Sequence, residues 1–489
     1  MNEHPLTSLL ADHIEEQIER RRAAPISTPV LPQTIRDHLE SSFDFRSPLS
    51  AESVFSGTTE MLWNWAEHAT NPRHYGLTRP TVDRISIVAD ALTALYDPNL
   101  AMWEFAPGAT EIERHVLRVL GRKFGFDIDE GFGNFTSGGA EANHTATIVA
   151  LTAKFPNFAQ GGVRQLEGAP TLYVSDEAHH SFDKVALAVG LGRDAIRRVP
   201  VGEDLKMDVK RLEALVHQDR SEGRIPFMVV ATAGTTGAGV VDPLHSIARV
   251  AAECDLWMHV DGAWGGAAAL SESLKPVLKG MDEADSLTVD AHKWLSSPVG
   301  AGMFYCRHRQ PINQAFSTNA GYVPDLADDG RIYPMYTTMQ WSRRCTGLKL
   351  FMMLAQHGLG GVVRRIEHQA EMGQRLRGEL IRTGWSILNE TTLPVICFTH
   401  HDLRNDAATH RSMVQWLKNN QLAWISSLQL RENQYALRAS ITNYESNPDD
   451  IDHLVSSLND ALKVELRATC AAASRADKAD PATQISDEE

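Results

Sequence analysis

The chain of 489 residues carries a formal net charge of −15, and its residues are 43% apolar and 22% charged. That length accommodates a large α/β core together with a smaller domain, and the composition is typical of a soluble globular protein. The acidic balance argues against nucleic acid or an anionic membrane as the main partner.

The five cysteines are widely spaced and form no Cys-x-x-Cys pair, so the usual patterns of a zinc site or a disulfide framework are absent. Such usage favours a reducing, cytoplasmic setting. The first residues lack the basic start and apolar run of a secretory signal. No stretch approaches the roughly 18 apolar residues of a membrane span. We therefore predict a cytoplasmic protein without a metal site, nucleic-acid partner or membrane partner.

An amphipathic helix is predicted over residues 8–23, capped by Thr7 or Ser8. The segment is too isolated to bury its apolar face by itself. That face packs either on the chain's own core or on a partner subunit, and the sequence leaves both open. We assign residues 1–80 to an N-terminal helical segment and expect it to pack in a dimer.

Between about residues 80 and 310, strand-like apolar runs alternate with helical stretches such as 209–218 and 244–254. This alternation predicts an α/β domain over 81–383 with a mostly parallel sheet buried on both faces. Functional residues should gather at the carboxyl ends of its strands. The predicted strands are 172–175, 227–231, 256–260, 286–289 and 302–305.

After residue 385 the pattern changes to short strands and amphipathic helices, which indicates a small α+β domain over 384–466. The tail at 467–489 is rich in Ala, Ser, Asp and Glu, and we predict that it is disordered. The helices predicted in the second half of the chain are 343–356, 362–383, 409–419 and 449–463.

A glycine-rich turn is predicted in Phe135-Thr-Ser-Gly-Gly-Ala-Glu-Ala-Asn143, and it opens a helix that reaches about Lys154. The N–H groups of a helix N-terminus attract anions, and glycine lets a phosphate approach the backbone. The run lacks the Gly-Lys-Ser/Thr of a Walker loop and the Gly-x-Gly-x-x-Gly of a dinucleotide site. By itself, it also fits an ordinary helix start.

Two further loops follow predicted strands. The first, Ser175-Asp-Glu-Ala-His-His-Ser181, offers His179 or His180 for stacking on a flat ring, although either could be a surface histidine. Adjacent histidines point to different sides, so at most one of them is functional, and the spacing does not suit a metal ion. The second, Thr232-Ala-Gly-Thr-Thr-Gly-Ala-Gly239, offers hydroxyl groups and a flexible backbone.

Asp261 and Lys293 both follow predicted strands, in His259-Val-Asp-Gly-Ala-Trp264 and Asp290-Ala-His-Lys-Trp294. Each alone has an ordinary explanation, a salt bridge for the acid and a solvated side chain for the lysine. Together, an amine and a carboxylate at neighbouring strand ends suit pyridoxal 5'-phosphate. The amine can form a Schiff base with its aldehyde, and the carboxylate can hold its pyridine nitrogen protonated.

In these runs the chain resembles the group II pyridoxal-phosphate-dependent amino acid decarboxylases, which include aromatic amino acid, histidine, glutamate and cysteine sulfinate decarboxylases. The resemblance covers about residues 50–463. It implies fold type I, the aspartate-aminotransferase-like fold, and a homodimer with shared active sites. The matching runs are 71–76, 107–113, 137–142, 176–181, 234–243, 259–264, 290–294, 341–344 and 437–440.

The resemblance implies roles for single residues. Lys293 is expected to form the Schiff base, and Asp261 to pair with the pyridine nitrogen. His179 and Ala263 are expected on opposite faces of the ring, and His292 on the phosphate or substrate side. The residues expected near the phosphate are Gly138, Gly139, Ala140 and Thr236.

The implied reaction converts an L-amino acid to its amine and carbon dioxide through an external aldimine and a quinonoid. A loop tyrosine often supplies the proton in this family, and Tyr336 or Tyr333 matches it here. The substrate stays open. Gly76-Leu77 argues against an acidic side chain, whereas Glu104-Phe-Ala-Pro107 is similar to the glutamate branch.

Three other functions compete with decarboxylation to an amine. Oxidative decarboxylation–deamination to an aldehyde is typical of relatives with phenylalanine at the loop tyrosine, and the tyrosines here argue against it. An aminotransferase would bind its substrate through Arg438, but decarboxylases of this family keep a similar arginine. A non-catalytic regulatory protein is disfavoured by the joint presence of Lys293, Asp261 and His179.

Overall fold

The computed structural model describes residues 6–166, 168–318 and 330–476. Within them the chain forms two compact units, and each is described by itself. The first unit is drawn from Met1–Leu77, Arg375–Leu388 and Cys397–Glu489, and the second from Thr78–Gln374 and Asn389–Ile396. The helices, in chain order, are α1 (Leu6–Arg20), α2 (Pro32–Ser42), α3 (Ala51–Asn64), α4 (Arg84–Tyr96), α5 (Pro107–Phe124), α6 (Gly139–Lys154), α7 (Phe158–Gly161), α8 (Ser181–Ala188), α9 (Val209–Ser221), α10 (Leu244–Glu253), α11 (Arg309–Phe316), α12 (Gly347–Arg382), α13 (Ala407–Asn419) and α14 (Pro448–Ala476).

A seven-stranded sheet forms the centre of the second unit. Its strands are β1 (Phe132–Thr136), β2 (Ala169–Ser175), β3 (Ile196–Val199), β4 (Arg224–Thr232), β5 (Trp257–Asp261), β6 (Ser286–Asp290) and β7 (Gly302–Cys306). They lie in the order β1-β7-β6-β5-β4-β2-β3. The strands from β6 to β3 pair in parallel, and β7 runs antiparallel to both β6 and β1. The sheet is therefore mostly parallel, as predicted.

The five predicted strands are present close to their predicted limits, and every residue of β5, β6 and β7 is buried. The sequence did not predict β1 or β3. Strand β1 contains Gly133 and Asn134, two residue types that are depleted in strands. Strand β3 lies at the sheet edge and is Ile-Arg-Arg-Val, in which Arg197 and Arg198 interrupt the apolar run.

Helix α6 packs against the sheet through an apolar face. Its buried Ala146 and Val149 belong to one core cluster with Val174 of β2 and Val230 of β4. The small alanines let the helix approach the strands closely, which brings its first turn to the carboxyl end of β1. The helix predicted after the glycine turn is confirmed, including its end at Lys154.

A closed loop, residues 291–301, joins β6 to β7. The register of the two strands places Asp290 opposite Gly302. The N–H of Ala291 donates to the carbonyl of Ala301 at 2.8 Å, and the N–H of Ser297 donates back to the carbonyl of Ala291 at 3.1 Å. The loop is therefore tied at its base by the sheet and again within itself.

Helix α12 contains a break at Gly358, whose φ of 65° and ψ of 161° are not helical. A positive φ of this kind is easily reached only by glycine. The break separates two helical stretches, which agrees with the two helices predicted at 343–356 and 362–383.

The first unit contains a four-stranded sheet, as expected for a small α+β domain. Its strands are β8 (Trp385–Ile387), β9 (Val395–His400), β10 (Ser426–Arg431) and β11 (Gln434–Ser440), in the order β10-β11-β9-β8. The predicted helices at 409–419 and 449–463 correspond to α13 and α14.

The disorder predicted for 467–489 is wrong for residues 467–476, because α14 continues to Ala476. The segment Arg467-Ala-Thr-Cys-Ala-Ala-Ala-Ser-Arg-Ala476 is rich in alanine, the strongest helix former, so it extends the helix that precedes it. Residues 477–489 lie outside the described residues.

The N-terminal segment predicted over 1–80 belongs to the same unit as the C-terminal domain. Arg22 forms an ion pair with the buried Asp450, with 2.9 Å between Nη1 and Oδ2. The N–H of Ile26 donates to Oε1 of Gln421 at 2.7 Å. These contacts join segments that are distant in sequence, so the observed division differs from the predicted boundaries.

Helices α1, α2 and α3 bury none of their residues. The five cysteines are free, and four of them are buried. Within the described ranges, no helix is both long enough and apolar enough to cross a membrane.

Gly302→Ala is expected to destabilise the second unit. A Cβ at this position would lie 2.7 Å from the Cα of Gly138 and 2.5 Å from Oγ1 of Thr136, so β7 or the glycine turn would have to shift. Overpacking of this kind costs about 1–3 kcal/mol. The thermal midpoint of the cofactor-free protein, followed by circular dichroism, should therefore fall. Gly108→Ala is the matched control, because a Cβ there meets nothing within 4 Å. Equal midpoints for the two variants would contradict the close packing at Gly302.

Candidate active site

The carboxyl ends of the parallel strands converge with the start of α6 on one cavity of about 260 Å³. Parallel strands place the residues that follow them at the same sheet edge, so segments far apart in sequence meet there. The cavity is lined by Ser137, Gly138, Gly139, Ala140, Asn143, His179, Thr232, Gly234, Thr236, Asp261, Ala263, Trp264, Asp290, His292 and Lys293. All the predicted cofactor residues are thus brought together.

Lys293 lies on the loop after β6, with its side chain 25% exposed. Its Nζ lies 3.0 Å from Oδ2 of Asp290, which is almost fully buried. The other carboxylate oxygen of Asp290 has no hydrogen-bond partner among the described residues. Sequence reasoning quoted Asp290 only as part of a motif and did not identify this ion pair, although the spacing of three residues after a strand end made it available.

Asp261 ends β5 and is 5% exposed. Its Oδ1 accepts a hydrogen bond from the N–H of Ala263 at 3.1 Å, and its Oδ2 accepts one from Nδ2 of Asn143 at 2.9 Å. No Lys, Arg or His nitrogen in the part of the chain that the structure describes forms an ion pair with it. A buried carboxylate without a cation is costly, so this position suits a cationic ligand atom.

His179 lines the cavity, whereas its neighbour His180 has a side chain that is 87% exposed and contacts Asp183. Nδ1 of His179 accepts a hydrogen bond from the N–H of Ser181 at 3.1 Å, which leaves its proton on Nε2. Burial lowers the pKa of His179, so its ring is neutral near pH 7. Of the two histidines that the sequence left open, His179 is therefore the one that lines the cavity.

His292 lies beside the glycine turn. A Cβ at Gly138 would come within 3.2 Å of its Cε1. Nδ1 of His292 accepts from the N–H of Ala301 at 3.3 Å, and Nε2 lies 3.6 Å from Oδ2 of Asp290. Burial lowers the pKa of His292.

The first turn of α6 presents backbone N–H groups to the cavity, because the first N–H groups of a helix have no acceptor within it. A Cβ at Gly139 would lie 3.1 Å from Cβ of Ala263 and 3.1 Å from Oδ2 of Asp290. Glycine therefore keeps this end of the cavity open. The arrangement is suited to an anionic group.

Asp242, which is fully buried, stabilises the loop after β4 through hydrogen bonds to the backbone. Its two carboxylate oxygens accept from the N–H groups of Met207 and Thr232, each at 2.8 Å. Burial raises the pKa of Asp242 to about 6. Oγ1 of Thr232 is buried without a hydrogen-bond partner in the described chain, and Thr236 lines the same cavity.

Tyr333 and Tyr336 do not line this cavity. They line a different cavity of about 440 Å³, and the Tyr333 hydroxyl donates to Oε1 of Glu104 at 2.9 Å. Desolvation and this hydrogen bond raise the pKa of Tyr333. Within one chain, the structure therefore does not bring either predicted proton donor to Lys293.

Asn143 connects Asp261 to a buried row of polar side chains, which sequence reasoning missed. Oδ1 of Asn143 accepts from Oγ1 of Thr288 at 2.9 Å and lies 3.1 Å from Nε2 of His259. Nδ1 of His259 lies 2.9 Å from Oγ of Ser286. Burial lowers the pKa of His259 to about 4. The available signal was a histidine inside one apolar strand and a serine at the start of the next, because buried polar residues need partners.

Comparison with known protein families agrees with this geometry. Residues 32–401, more than half of the chain, match the pyridoxal-dependent decarboxylase conserved domain. The chain belongs to the pyridoxal-dependent decarboxylase family. The protein is therefore a pyridoxal-phosphate-dependent carboxy-lyase that acts on an amino acid.

Individual decarboxylases are similar over most of their length. The aromatic-L-amino-acid decarboxylase of Bacillus atrophaeus is 27% identical over 431 residues, which cover 86% of this chain and 87% of that one. The human cysteine sulfinic acid decarboxylase is 31% identical, with 67% of each chain covered. The L-2,4-diaminobutyrate decarboxylase of Rhizobium meliloti is 30% identical, with 77% of this chain and 75% of the other covered.

Solved structures confirm the fold type I architecture. Mouse CSAD superposes with a TM-score of 0.85 at 24% identity, covering 94% of this chain and 99% of the other. Oryza sativa TDC, solved with PLP and tryptamine, gives a TM-score of 0.85 at 22% identity, covering 94% of this chain and 97% of the other.

The cavity of this decarboxylase fits the family's cofactor on two observations. The buried carboxylate of Asp261 lacks a cation, which a protonated pyridine nitrogen supplies. An anion-binding helix start and the amine of Lys293 line the same cavity, which suits the phosphate and the aldehyde.

The stability of the protein is expected to fall as the pH decreases from 6.5 to about 4, and His259 should account for part of this loss. Its folded-state pKa is depressed from 6.5 to about 4, so the unfolded chain takes up the proton first as the pH falls. The contribution is present above pH 6.5 and is lost on approaching pH 4, by about 3 kcal/mol. Thermal midpoints of His259→Gln should therefore depend less steeply on pH in this window than those of the wild type.

His180→Gln is the control for this measurement, because the His180 side chain is exposed. Its thermal midpoints should follow the wild-type curve. Identical slopes for the wild type and His259→Gln would rule out a neutral, buried His259.

Proposed function

We propose that the protein converts an L-amino acid to the corresponding amine and carbon dioxide, with Lys293 as the residue that binds the cofactor covalently. The observation that carries this proposal is the convergence of an amine, a buried carboxylate without a cation, a neutral imidazole and a helix N-terminus on one cavity. Bound pyridoxal phosphate supplies an electron sink for the electron pair left when carbon dioxide departs.

Asp261 is the proposed partner of the pyridine nitrogen. Its two oxygens already accept from Asn143 and Ala263, so the carboxylate is held in one plane. A charged partner keeps the pyridine nitrogen protonated, which strengthens the electron sink. Ala263 and His179 are proposed to line opposite faces of the ring, where a small methyl group and a flat imidazole leave a slot between them.

The phosphate is proposed to lie at the start of α6, on the N–H groups of Gly138, Gly139 and Ala140. A side chain at position 139 would make tight contacts of 3.1 Å with Ala263 and Asp290, so glycine suits this position. The Thr236 hydroxyl is proposed as a further donor. His292, within reach of Gly138, is proposed to contact the phosphate or the substrate.

The substrate is proposed as an L-amino acid without further restriction on its side chain. The residues above are assigned to the cofactor, and none of them is assigned to a substrate side chain. By their names, the relatives act on aromatic, acidic and cationic amino acids. Incubation with each class, followed by measurement of carbon dioxide and amine, identifies the class used here.

We also propose a homodimer with shared active sites. The N-terminal helices bury no residue within the chain, and their region exposes Leu10, Phe45 and Leu62. A second copy packed on this surface would remove that apolar area from water.

A cytoplasmic location is proposed from the cysteines, which form no disulfide among themselves and are mostly buried.

Lys293→Ala is expected to abolish covalent cofactor binding and to reduce decarboxylation by about 10³-fold or more, a fraction of the acceleration that enzymes achieve. Borohydride reduction of the wild-type holoenzyme, followed by peptide mass mapping, should place the cofactor on Lys293. Lys279→Ala, at an exposed lysine, is the control and should behave as the wild type. Cofactor fixed to another lysine would overturn the assignment.

Tyr336 is proposed to protonate the substrate carbon across the dimer interface, because the Tyr333 hydroxyl is already bound to Glu104. Tyr336→Phe should lower amine formation by about 10²-fold, as expected for loss of a general acid, and should divert the product to an aldehyde with oxygen uptake. Tyr333→Phe is the matched control and should still form the amine. A product switch in Tyr333→Phe alone would assign the role to Tyr333 instead.

A further inference from the structure

The Asp261 carboxylate is oriented by one side chain from another element. Nδ2 of Asn143, on α6, donates to Oδ2 of Asp261 at 2.9 Å and to Oγ of Ser181 at 3.1 Å. The only other donor recorded on the carboxylate within the described chain is the N–H of Ala263. Rotation of the carboxylate is therefore restrained on one side by a fixed backbone group and on the other by an amide that could itself turn over.

The direction of the Asn143 amide is fixed by its far end. Oδ1 can only accept hydrogen bonds, so the Thr288 hydroxyl at 2.9 Å and Nε2 of His259 at 3.1 Å must both donate. Turning the amide over would place its NH₂ group against these two donors. It would also leave Oδ1 facing Oδ2 of Asp261.

The tautomer of His259 follows from the same contacts. The ring is neutral because its pKa is lowered to about 4, and its proton is on Nε2. Nδ1 therefore accepts from the hydroxyl of Ser286 at 2.9 Å. Ser286 Oγ in turn accepts from Nε1 of Trp257 at 2.9 Å, so the donors of Trp257, Ser286, His259 and Asn143 follow one another towards Asp261.

We propose that Asn143 is a positioning residue for Asp261, and that His259 and Ser286 keep its amide turned so that its NH₂ group faces the carboxylate. The proposal rests on the function proposed above, in which Asp261 pairs with the pyridine nitrogen. It assigns this buried row to the cofactor site and not only to the core. Asn143, His259 and Ser286 are fully or almost fully buried.

The physical consequence concerns the free lone pair of Asp261. With one donor on each oxygen, the carboxylate is held in a single plane and presents the same lone pair to the cavity. Without Asn143 it can rotate about its Cβ–Cγ bond, and the charge is presented less directly to the pyridine nitrogen. That nitrogen then holds its proton more weakly, since hydrogen bonds to a buried charge are strong and directional.

The test compares Asn143→Leu, which preserves volume, with the wild type. Pyridoxal 5'-phosphate added to the cofactor-free protein should bind about tenfold more weakly, the loss expected for one hydrogen bond to a charged group. The visible absorbance of the Lys293-linked cofactor reports the pKa of the Schiff base nitrogen, which should rise by about half a unit or more. A less positive ring lowers the pKa of that nitrogen less. The value of kcat should fall about tenfold, with a smaller change in KM.

Thr147→Val is the matched control. Thr147 lies one turn further along α6, is fully buried, and donates only to the carbonyl of Asn143 at 2.9 Å. Its removal costs a buried hydroxyl in the same helix and leaves the side-chain hydrogen bonds of the row in place. The control should keep the wild-type cofactor affinity and absorbance titration even if its thermal midpoint falls.

Ser286→Ala extends the test to the far end of the row and replaces Asn143→Leu if that variant does not fold. It should shift the absorbance titration in the same direction by a smaller amount. If the folded variants titrate as Thr147→Val does, the row is only structural and the inference is overturned. Failure of the wild type to bind the cofactor on Lys293 would instead overturn the proposed function.

Discussion

The burial of an uncompensated carboxylate at the end of β5 is the constraint on which the site depends. Two donors satisfy the oxygens of Asp261, but no cation of the described chain neutralises them. Hydrogen bonds reduce the cost of burying a charge without removing it. In the proposed function, a protonated pyridine ring would supply the positive charge that faces this carboxylate.

The topology of the sheet explains why so many distant segments serve this carboxylate. Strands β2, β4, β5 and β6 end at one edge, which gathers the histidine, the hydroxyl loop, the acid and the lysine. Strand β7 runs the opposite way, so its first residue, Gly302, reaches the same edge and packs on the glycine turn. A larger residue at that contact would displace the glycine turn that precedes α6.

The sequence predicted several parts of the site through their combination. Lys293, Asp261, His179 and the glycine turn each have an ordinary explanation alone, but their joint occurrence along the chain predicted one site, and the structure places all four on one cavity. The role of Asn143 was missed although it stands in the same run as the turn. Its contacts lie 118 and 116 residues away, at Asp261 and His259, and no local pattern shows which face of α6 meets β5.

Other differences have similar physical causes. The grouping of the N-terminal segment with the C-terminal domain depends on contacts such as Arg22 to Asp450, which are set by tertiary structure. The helix continues to Ala476 because alanine has a high helix propensity, whereas the composition of the tail as a whole predicted disorder. Predicting the ion pair between Lys293 and Asp290 from the sequence would have required knowing that a tight turn follows β6.

The loop that carries Lys293 is tied at both ends before any ligand arrives. Asp290 faces Gly302 across two adjacent strands, and the backbone of Ala291 bonds to that of Ala301. The entropy of closing such a loop is therefore lost when the sheet folds. If the cofactor binds to Lys293 as proposed, the torsions of its side chain are the part of this loop that remains to be ordered, because the backbone is already fixed.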